Sequence, residues 1–201
     1  MLIRPHDTGT DEEQWRSFVR SRGFGQLAVS GTGDVPIVVP TQFVLRNDDV
    51  VFHLAKPNPV FEALEATPRG VLSVAGDWAY IPGAWKAIGD EDPSRGIPTT
   101  YYAAVQLIGA IEVIDDVDRI AAILRAQLAD VEPVDGGLVD PAEHAAQFRV
   151  IRGIRLSIDE VRAKFKFGGN VDAEHRAVVI ERLNSRAGPG DHAAAARVPR
   201  G

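Results

Sequence analysis

The sequence predicts a mainly β protein, an antiparallel β-barrel with helices inserted between its strands and appended to them. Two observations carry that expectation. From Phe24 onward, apolar residues recur at every second position in runs bounded by Gly, Asn, Asp and Pro, as in half-buried strands joined by tight turns. Between and after these runs the period lengthens to that of a helix, each time behind an Asp, Asn or Pro. Short strands with attached helices build a single barrel core. A chain of 201 residues can bury one such core, and its 45% hydrophobic and 25% charged residues are ordinary globular values.

In chain order, Thr10 and Glu13 fit a capping box. Trp15, Phe18 and Val19 follow at helical spacing, and Gly23 ends the first helix. Three antiparallel strands come next, GFGQLAVS, PIVVPTQFVLR and VVFHLA, separated by the turn residues GTGD and NDD. Pro36 and Pro40 make the second an edge or bulged strand, because proline cannot donate to a ladder. Asn58 and Pro59 open a helix with Val60, Phe61 and Leu64 on its apolar stripe. VLSVAGDWAYI is a fourth strand and TTYYAAVQLIGAIEVID a long fifth. Asp116 starts a helix with Ile120, Ile123, Leu124 and Leu128 on one face, ADVEPVDGGLVD is a loop, and Asp140, Pro141 and Glu143 start another helix. GIRLSI reads as a short strand, followed by a helical piece around DEVRAKF. In KFKFGGN, Lys164 to Asn170, two lysines alternate with phenylalanines before two glycines release the backbone for a sharp turn. Asp172 caps a last helix carrying Val178, Val179, Ile180 and Leu183. Residues 187–201 read as a flexible tail behind a domain of residues 1–186.

Several chemistries are excluded. The chain has no cysteine, which removes disulfides, zinc–thiolate sites and thiol nucleophiles together. A net charge of −6 argues against a constitutive phosphate-gripping face of the kind nucleic-acid binders need. The start lacks an apolar signal core and no apolar run approaches membrane-spanning length, so a soluble cytoplasmic protein without a membrane partner is expected. No serine lies in a Gly-x-Ser-x-Gly context. His6, His53, His144, His175 and His192 are scattered without ligand spacing, so no metal site is expected. Asp90, Glu91 and Asp92 are consecutive and loop-borne, a solvated face. Gly31 and Gly33 begin a dinucleotide fingerprint, but Pro36 occupies its third glycine position.

What remains is a flat, anionic ligand. The stretch from Asp77 to Gly109 sets aromatic-rich runs on either side of the polar segment GDEDPSRG, which reads as a cover or dimer contact. Lys56 and Lys166 supply charge, the latter from KFKFGGN. Thr99 and Thr100 supply hydroxyls, and Asn58 and Asn170 supply amides. Trp78, Tyr80, Trp85, Tyr101 and Tyr102 would wall a ring or, in the alternative, fill a barrel core. Tyr80, Tyr102 and His53 are the only nearby acid–base candidates, and no catalytic residue is assigned.

HLAKPNPVFEAL, WAYIPGAWK, GIPTTYYAAVQLIG and KFKFGGN occur in the order seen in PaiB-type FMN-binding negative transcriptional regulators. Over residues 1–185 the chain resembles that family, part of the flavin-binding split-barrel superfamily that also holds pyridoxamine-phosphate oxidases. The resemblance implies a six-stranded antiparallel split barrel and a homodimer with FMN at the subunit interface. Carried across by position, it implies contacts from Lys56, Asn58, Tyr80, Trp85, Thr99, Tyr102, Lys166 and Asn170, with Thr100 as an added hydroxyl. The chain departs from the pattern at Pro82 and Ala84, where the family has serines. It departs again at Thr100–Tyr101, where the family has Trp–Asn, and at Gln106, where it has histidine. The implied function is an FMN-binding regulator with a regulatory or redox role. An FMN- or F420-dependent oxidoreductase acting on a small substrate is an alternative, as is a chain that holds no flavin. A direct DNA-binding repressor is disfavoured by the acidic charge and by the lack of a helix-turn-helix pattern.

Overall fold

Helix α1 (Glu12–Arg22) buries Trp15, Phe18 and Val19 and stops at Gly23, whose φ of +57° lies in the left-handed region that favours glycine. The structure, a computed structural model, describes residues 1–9, 11–132 and 148–200. Thr10 of the expected capping box lies outside the described residues. So do Asp140, Pro141, Glu143, His144 and most of the expected ADVEPVDGGLVD loop.

The strands are β1 (Phe24–Val29), β2 (Ile37–Gln42), β3 (Val44–Arg46), β4 (Asp49–Ala55), β5 (Arg69–Ile81), β6 (Thr99–Ile114) and β7 (Ile151–Lys166). They form one sheet in the order β2-β1-β5-β6-β7-β4-β3. The pairs β1–β2, β1–β5, β3–β4 and β4–β7 are antiparallel. The sheet has seven strands rather than the expected six, because PIVVPTQFVLR does not run as one strand. It breaks at Phe43, which is 1% exposed and whose N–H donates to the Gly23 carbonyl at 2.9 Å. Residues before the break pair with β1 and residues after it pair with β4. A single residue therefore links the two outermost strands, so the sheet must curl until its edges meet at Phe43 although its ladder is not closed. Pro40 sits on β2, the edge strand its missing N–H calls for.

A second correction concerns DEVRAKF, which is strand rather than helix. β7 continues unbroken to Lys166, and its last residues gain a partner in the N-terminal segment. The Gly9 N–H donates to the Ala163 carbonyl at 3.1 Å, and Thr8 bridges Lys164. That main-chain pairing favours extended backbone over the helix its residues would otherwise form.

The helices follow their caps. In α2 (Val60–Ala66) the Asn58 side chain accepts from the Val60 N–H at 3.1 Å, while Val60, Phe61 and Leu64 are buried. Asp116 caps α3 (Val117–Val131), which takes the start of the expected loop into its last turn. Asp172 caps α4 (Ala173–Arg186). Residues 187–200, read from the sequence as a flexible tail, carry α5 (Asp191–Arg197), with Ala194, Ala195 and Val198 buried.

The chain divides into two compact units. The barrel unit comprises Glu13–Val74 and Gln106–Val161. Its core includes Phe18, Leu27, Phe43, Phe52, Leu72, Ile154 and Leu156, and α3 packs Ile120, Ala121 and Ile123 with Val51, Ile114 and Phe148. At Gly109 a Cβ would overlap the Ser157 carbonyl oxygen, so β6 and β7 approach there only because the side chain is missing. The terminal unit comprises Met1–Glu12, Ala75–Val105 and Arg162–Gly201, and carries α4 and α5. There Arg186 grips the buried Asp191 carboxylate with two hydrogen bonds, at 2.7 and 2.6 Å, and stacks on the Trp85 ring at 4.6 Å. Among the described residues no helix is long and apolar enough to cross a membrane.

Truncating Phe43 removes the side chain on which the corner between β2 and β3 rests. Phe43→Ala is expected to destabilise the protein by about 3–5 kcal/mol, the usual cost of emptying a buried aromatic site. The urea midpoint at unchanged m-value measures it, and a shift below about 1 kcal/mol would remove Phe43 from the core.

Candidate ligand-binding site

The two-residue period of a strand decides which side chains share a surface. On β6 it sets Thr99 with Tyr101, and on β7 it sets Lys164 with Lys166. These four line a cavity of about 560 Å³ in the terminal unit, within the size range of small-molecule sites. The rest of the lining comes from Lys86, Ile97 and Pro98, from Gly168, Asn170 and Val171 in the turn after β7, and from the N-terminal Leu2, Arg4, His6 and Asp7.

The charges in this cavity do not balance. Among the described residues Asp7, 3% exposed, is the only carboxylate on the lining, and Lys164 occupies it with Nζ at 3.7 Å while also donating to the Leu2 carbonyl at 3.0 Å. Lys166 donates to the Thr99 hydroxyl at 2.6 Å, a partner that carries no charge. Lys86 and Arg4 have no carboxylate partner among the described residues. Burial, and then the like charge of Lys166, push the Lys86 ammonium below its ordinary pKa. Tyr101 is 2% exposed and its hydroxyl has no hydrogen-bond partner among the described residues. Burial raises its pKa against the opposing charge of Arg176, so the phenol keeps its proton at neutral pH. Its ring meets Phe167 edge-on, with centroids 6.0 Å apart. Gly168 has φ of +78°, and a Cβ there would overlap the Tyr101 hydroxyl.

Of the ligand contacts singled out from the sequence, Thr99, Tyr101, Lys166 and Asn170 line this cavity. Thr100 and Tyr102 take the alternate positions on β6, and the Lys164 ammonium lies 5.5 Å from the Tyr102 ring centroid. Trp85 lies under the Arg186 guanidinium, which also donates to the Tyr80 carbonyl at 2.9 Å. Trp78 and Tyr80 are 60% and 50% exposed. Lys56 and Asn58 belong to the barrel unit, in the turn between β4 and α2, where the Asn58 carbonyl oxygen caps the helix. His53 bonds Gln127 at 2.6 Å. Sequence reasoning missed Arg4, Lys86 and Lys164 as lining residues. The signal for Lys164 was its position two residues from Lys166, and Lys86 closes the WAYIPGAWK run. Nothing local marks Arg4.

Solved structures define the class of fold. The chain resembles the FAD and heme binding protein from Mycobacterium smegmatis with a TM-score of 0.62 at 20% identity, over 85% of this chain and 79% of that one. It resembles the flavocytochrome Anf3 from Azotobacter vinelandii with a TM-score of 0.61 at 24% identity, over 83% and 73%. At these identities the likeness establishes the fold, a split barrel. The chain itself belongs to the family described as "Putative FMN-binding domain", which matches residues 1–160. It is also 26% identical over 198 residues to the protease synthase and sporulation protein PAI 2 of Bacillus subtilis, covering 94% of this chain and 92% of that protein. The PaiB-type resemblance read from the ordered motifs therefore holds, and three of the four motifs lie inside the family match.

The acidic run Asp90–Asp92, expected to be a solvated face, is tied to α4 through Glu91. Glu91 lies 3.0 Å from His175 Nε2, and the opposite ring nitrogen lies 2.7 Å from Asp172. Among the described residues no group of His, Cys, Asp or Glu could hold a metal ion, so this cluster reads as a clasp. Hydrogen bonds to Asp172, then to Glu91, raise the His175 pKa, and the same histidine helps pull Asp172 down to about 2. A raised histidine contributes stability that is complete below its ordinary pKa of 6.5 and lost as pH rises through the raised value. A depressed aspartate contributes stability that is complete above 3.8 and lost as pH falls through about 2. The clasp is therefore strongest in mildly acidic solution and opens on the alkaline side. Glu91→Gln is expected to lower the His175 midpoint in an NMR titration, and an unmoved midpoint would mean that the clasp does not form in solution.

Proposed function

We propose that this protein binds FMN as a homodimer and serves a regulatory or redox role with the flavin held at the dimer interface. The observation that carries the reading is the uncompensated positive charge of the cavity in the terminal unit. In a chain of net charge −6, Arg4, Lys86 and Lys166 line a cavity where the one carboxylate among the described lining residues is already taken by Lys164. Such an arrangement needs an anion, and the phosphate of a flavin mononucleotide is one. Leu2, Ile97, Pro98 and Val171 add apolar surface against which a flat ring can be buried. Asn170 offers an amide for its polar edge. FMN would supply the hydride and electron chemistry, while the chain's residues bind it, orient it and limit water. Family membership, the sequence motifs and the residues present here point the same way. The exposed Trp78, Tyr80 and Ile97 support the dimer, because large apolar side chains at 60%, 50% and 75% exposure offer a second copy something to cover.

Titration of FMN with the purified chain, followed by flavin fluorescence, tests the reading. Saturable quenching that weakens as salt is added is expected. Lys166→Met removes one charged hydrogen bond to the ligand, worth about 1.5–3 kcal/mol, and should weaken binding about 10- to 100-fold. Absence of quenching in the wild type would overturn flavin binding, and unchanged affinity in the variant would move the flavin out of this cavity.

A further inference from the structure

We propose that the segment from Gly83 to Gly96 is a flap on the wall of the terminal unit's cavity, latched to α4 by protonated His175 and released when that histidine loses its proton. The inference concerns the chain's own movement and does not rest on which ligand the cavity takes.

The segment is built as a closed loop. Its ends meet so closely that a Cβ at Gly83 would overlap the Gly96 carbonyl oxygen, and a Cβ at Gly96 would overlap that of Gly83. Surface loops with adjoining ends are compact and often carry function. Inside the loop, Glu91 accepts from the Ile88 N–H at 3.1 Å, and Asp92 accepts from the Ser94 N–H at 2.9 Å and from its hydroxyl at 2.7 Å. These bonds give the loop a shape of its own. Lys86 within it, and Ile97 and Pro98 just beyond its neck, line the cavity. The position of the loop therefore sets part of the cavity wall.

Side chains of α4 fasten the loop near its start and near its tip, and the two fastenings differ in kind. At the start, Arg182 donates to the Ala84 carbonyl at 2.9 Å and Arg186 stacks on the Trp85 ring at 4.6 Å. Arginine keeps its charge at any physiological pH, so this end is permanent. At the tip, Glu91 lies 3.0 Å from His175 Nε2. His175 and Arg182 stand about two turns apart on α4, about 10 Å along its axis. The loop thus lies along the helix with one fixed end and one that titrates.

The count of protons decides which contact lets go. One ring nitrogen of His175 faces Glu91 and the other lies 2.7 Å from Asp172, so both point at carboxylates. Only the imidazolium, with an N–H on each nitrogen, satisfies both. The neutral ring must turn a lone pair toward one of them. Asp172 keeps its bond, because it is held in place as the cap of α4 by the His175 backbone N–H at 3.0 Å. Glu91 is then left facing a lone pair, and Asp172 repels it as well. The charges acting on His175 are those of Asp172 on its own helix and Glu91 from the loop. On α5, Asp191 holds Arg186, His192 bonds Asn184 and Arg197 bonds Asp77. Arg176, beside His175, donates to the Pro199 carbonyl. Of the loop's other charges, Asp92 is taken up by Ser94, and Asp90 and Arg95 share the loop with Lys86.

Isoleucine-methyl NMR on the full chain without ligand reads the loop at Ile88 and the cavity wall at Ile97, with His175 titrated alongside. Both methyls are expected to shift with the His175 midpoint between mildly acidic and mildly alkaline pH. Amide exchange of residues 87–96, corrected for intrinsic rate, should rise about two- to fivefold across that midpoint, the range an exposed charged contact spans. In His175→Gln the methyls should hold their alkaline positions at every pH, with exchange at its alkaline level. Methyls that ignore the His175 midpoint, or the same pH step persisting in His175→Gln, would overturn the flap. So would a shift at Ile88 that leaves Ile97 unmoved, because the loop tip would then move without the cavity wall. Should His175→Gln fail to fold, Glu91→Gln replaces it and leaves the cap of α4 untouched. Loss of the step at Ile97 and in exchange is then the expected result, and its persistence overturns the proposal.

Discussion

Alternation of side chains along β6 and β7 is the constraint on which the rest of the molecule depends. In the barrel unit it turns Leu107, Gly109 and Ile111 of β6 and Ile154 and Leu156 of β7 to buried positions. In the terminal unit the same alternation delivers Thr99 with Tyr101 and Lys164 with Lys166 to one cavity, and leaves Thr100, Tyr102 and Phe165 off its wall. A slip of one residue would exchange these sets, placing phenylalanine where the lysines stand. Strands thus fix four residues of the lining, Thr99, Tyr101, Lys164 and Lys166, while the N-terminal segment, the loop before β6 and the turn after β7 supply the others.

Charge separates this cavity from the rest of the surface. In the barrel unit, Arg69 pairs with Asp159, Arg119 with Glu112 and Arg152 with Asp115, each at 2.5–2.7 Å and each partly exposed. Such surface pairs contribute little to stability but leave no charge unanswered. In the cavity, Asp7 and Lys164 form a buried pair, whereas Lys86 is partly buried and repelled by the like charge of Lys166. That repulsion is a cost carried by the ligand-free chain, and an anion relieves it. Binding and local stability are coupled there for electrostatic reasons.

Much of the fold was legible because periodicity and capping are local. Gly23, Asn58, Asp116 and Asp172 mark helix ends through interactions made within a few residues of themselves. The two misread segments were decided by contacts distant in sequence. PIVVPTQFVLR breaks at Phe43, whose N–H bonds Gly23, twenty residues earlier. DEVRAKF carries the helix formers Glu160, Arg162, Ala163 and Lys164, and its place in β7 beside β6, together with pairing to Thr8 and Gly9, makes it strand. The same logic governs the site. Thr99, Lys166 and Asn170 could be picked from their own short motifs. Arg4 and Asp7 reach the cavity on a segment whose course is set by pairing with β7, and no local pattern announces that.

KFKFGGN condenses these effects into seven residues. Lys164 answers Asp7, Phe165 is buried, Lys166 enters the cavity bound to Thr99, and Phe167 packs on the edge of the Tyr101 ring. The glycines, read from sequence as freedom for a turn, have a second and stricter duty. A Cβ at Gly168 would strike the Tyr101 hydroxyl, and one at Gly169 would strike the His6 carbonyl. At Gly168 the positive φ and the steric limit coincide, so alanine fails there on both counts. Gly169 has no positive φ, and only the approach of the N-terminal segment explains the absence of a side chain. The turn is therefore shaped less by its own conformation than by the two walls of the cavity it must fit between.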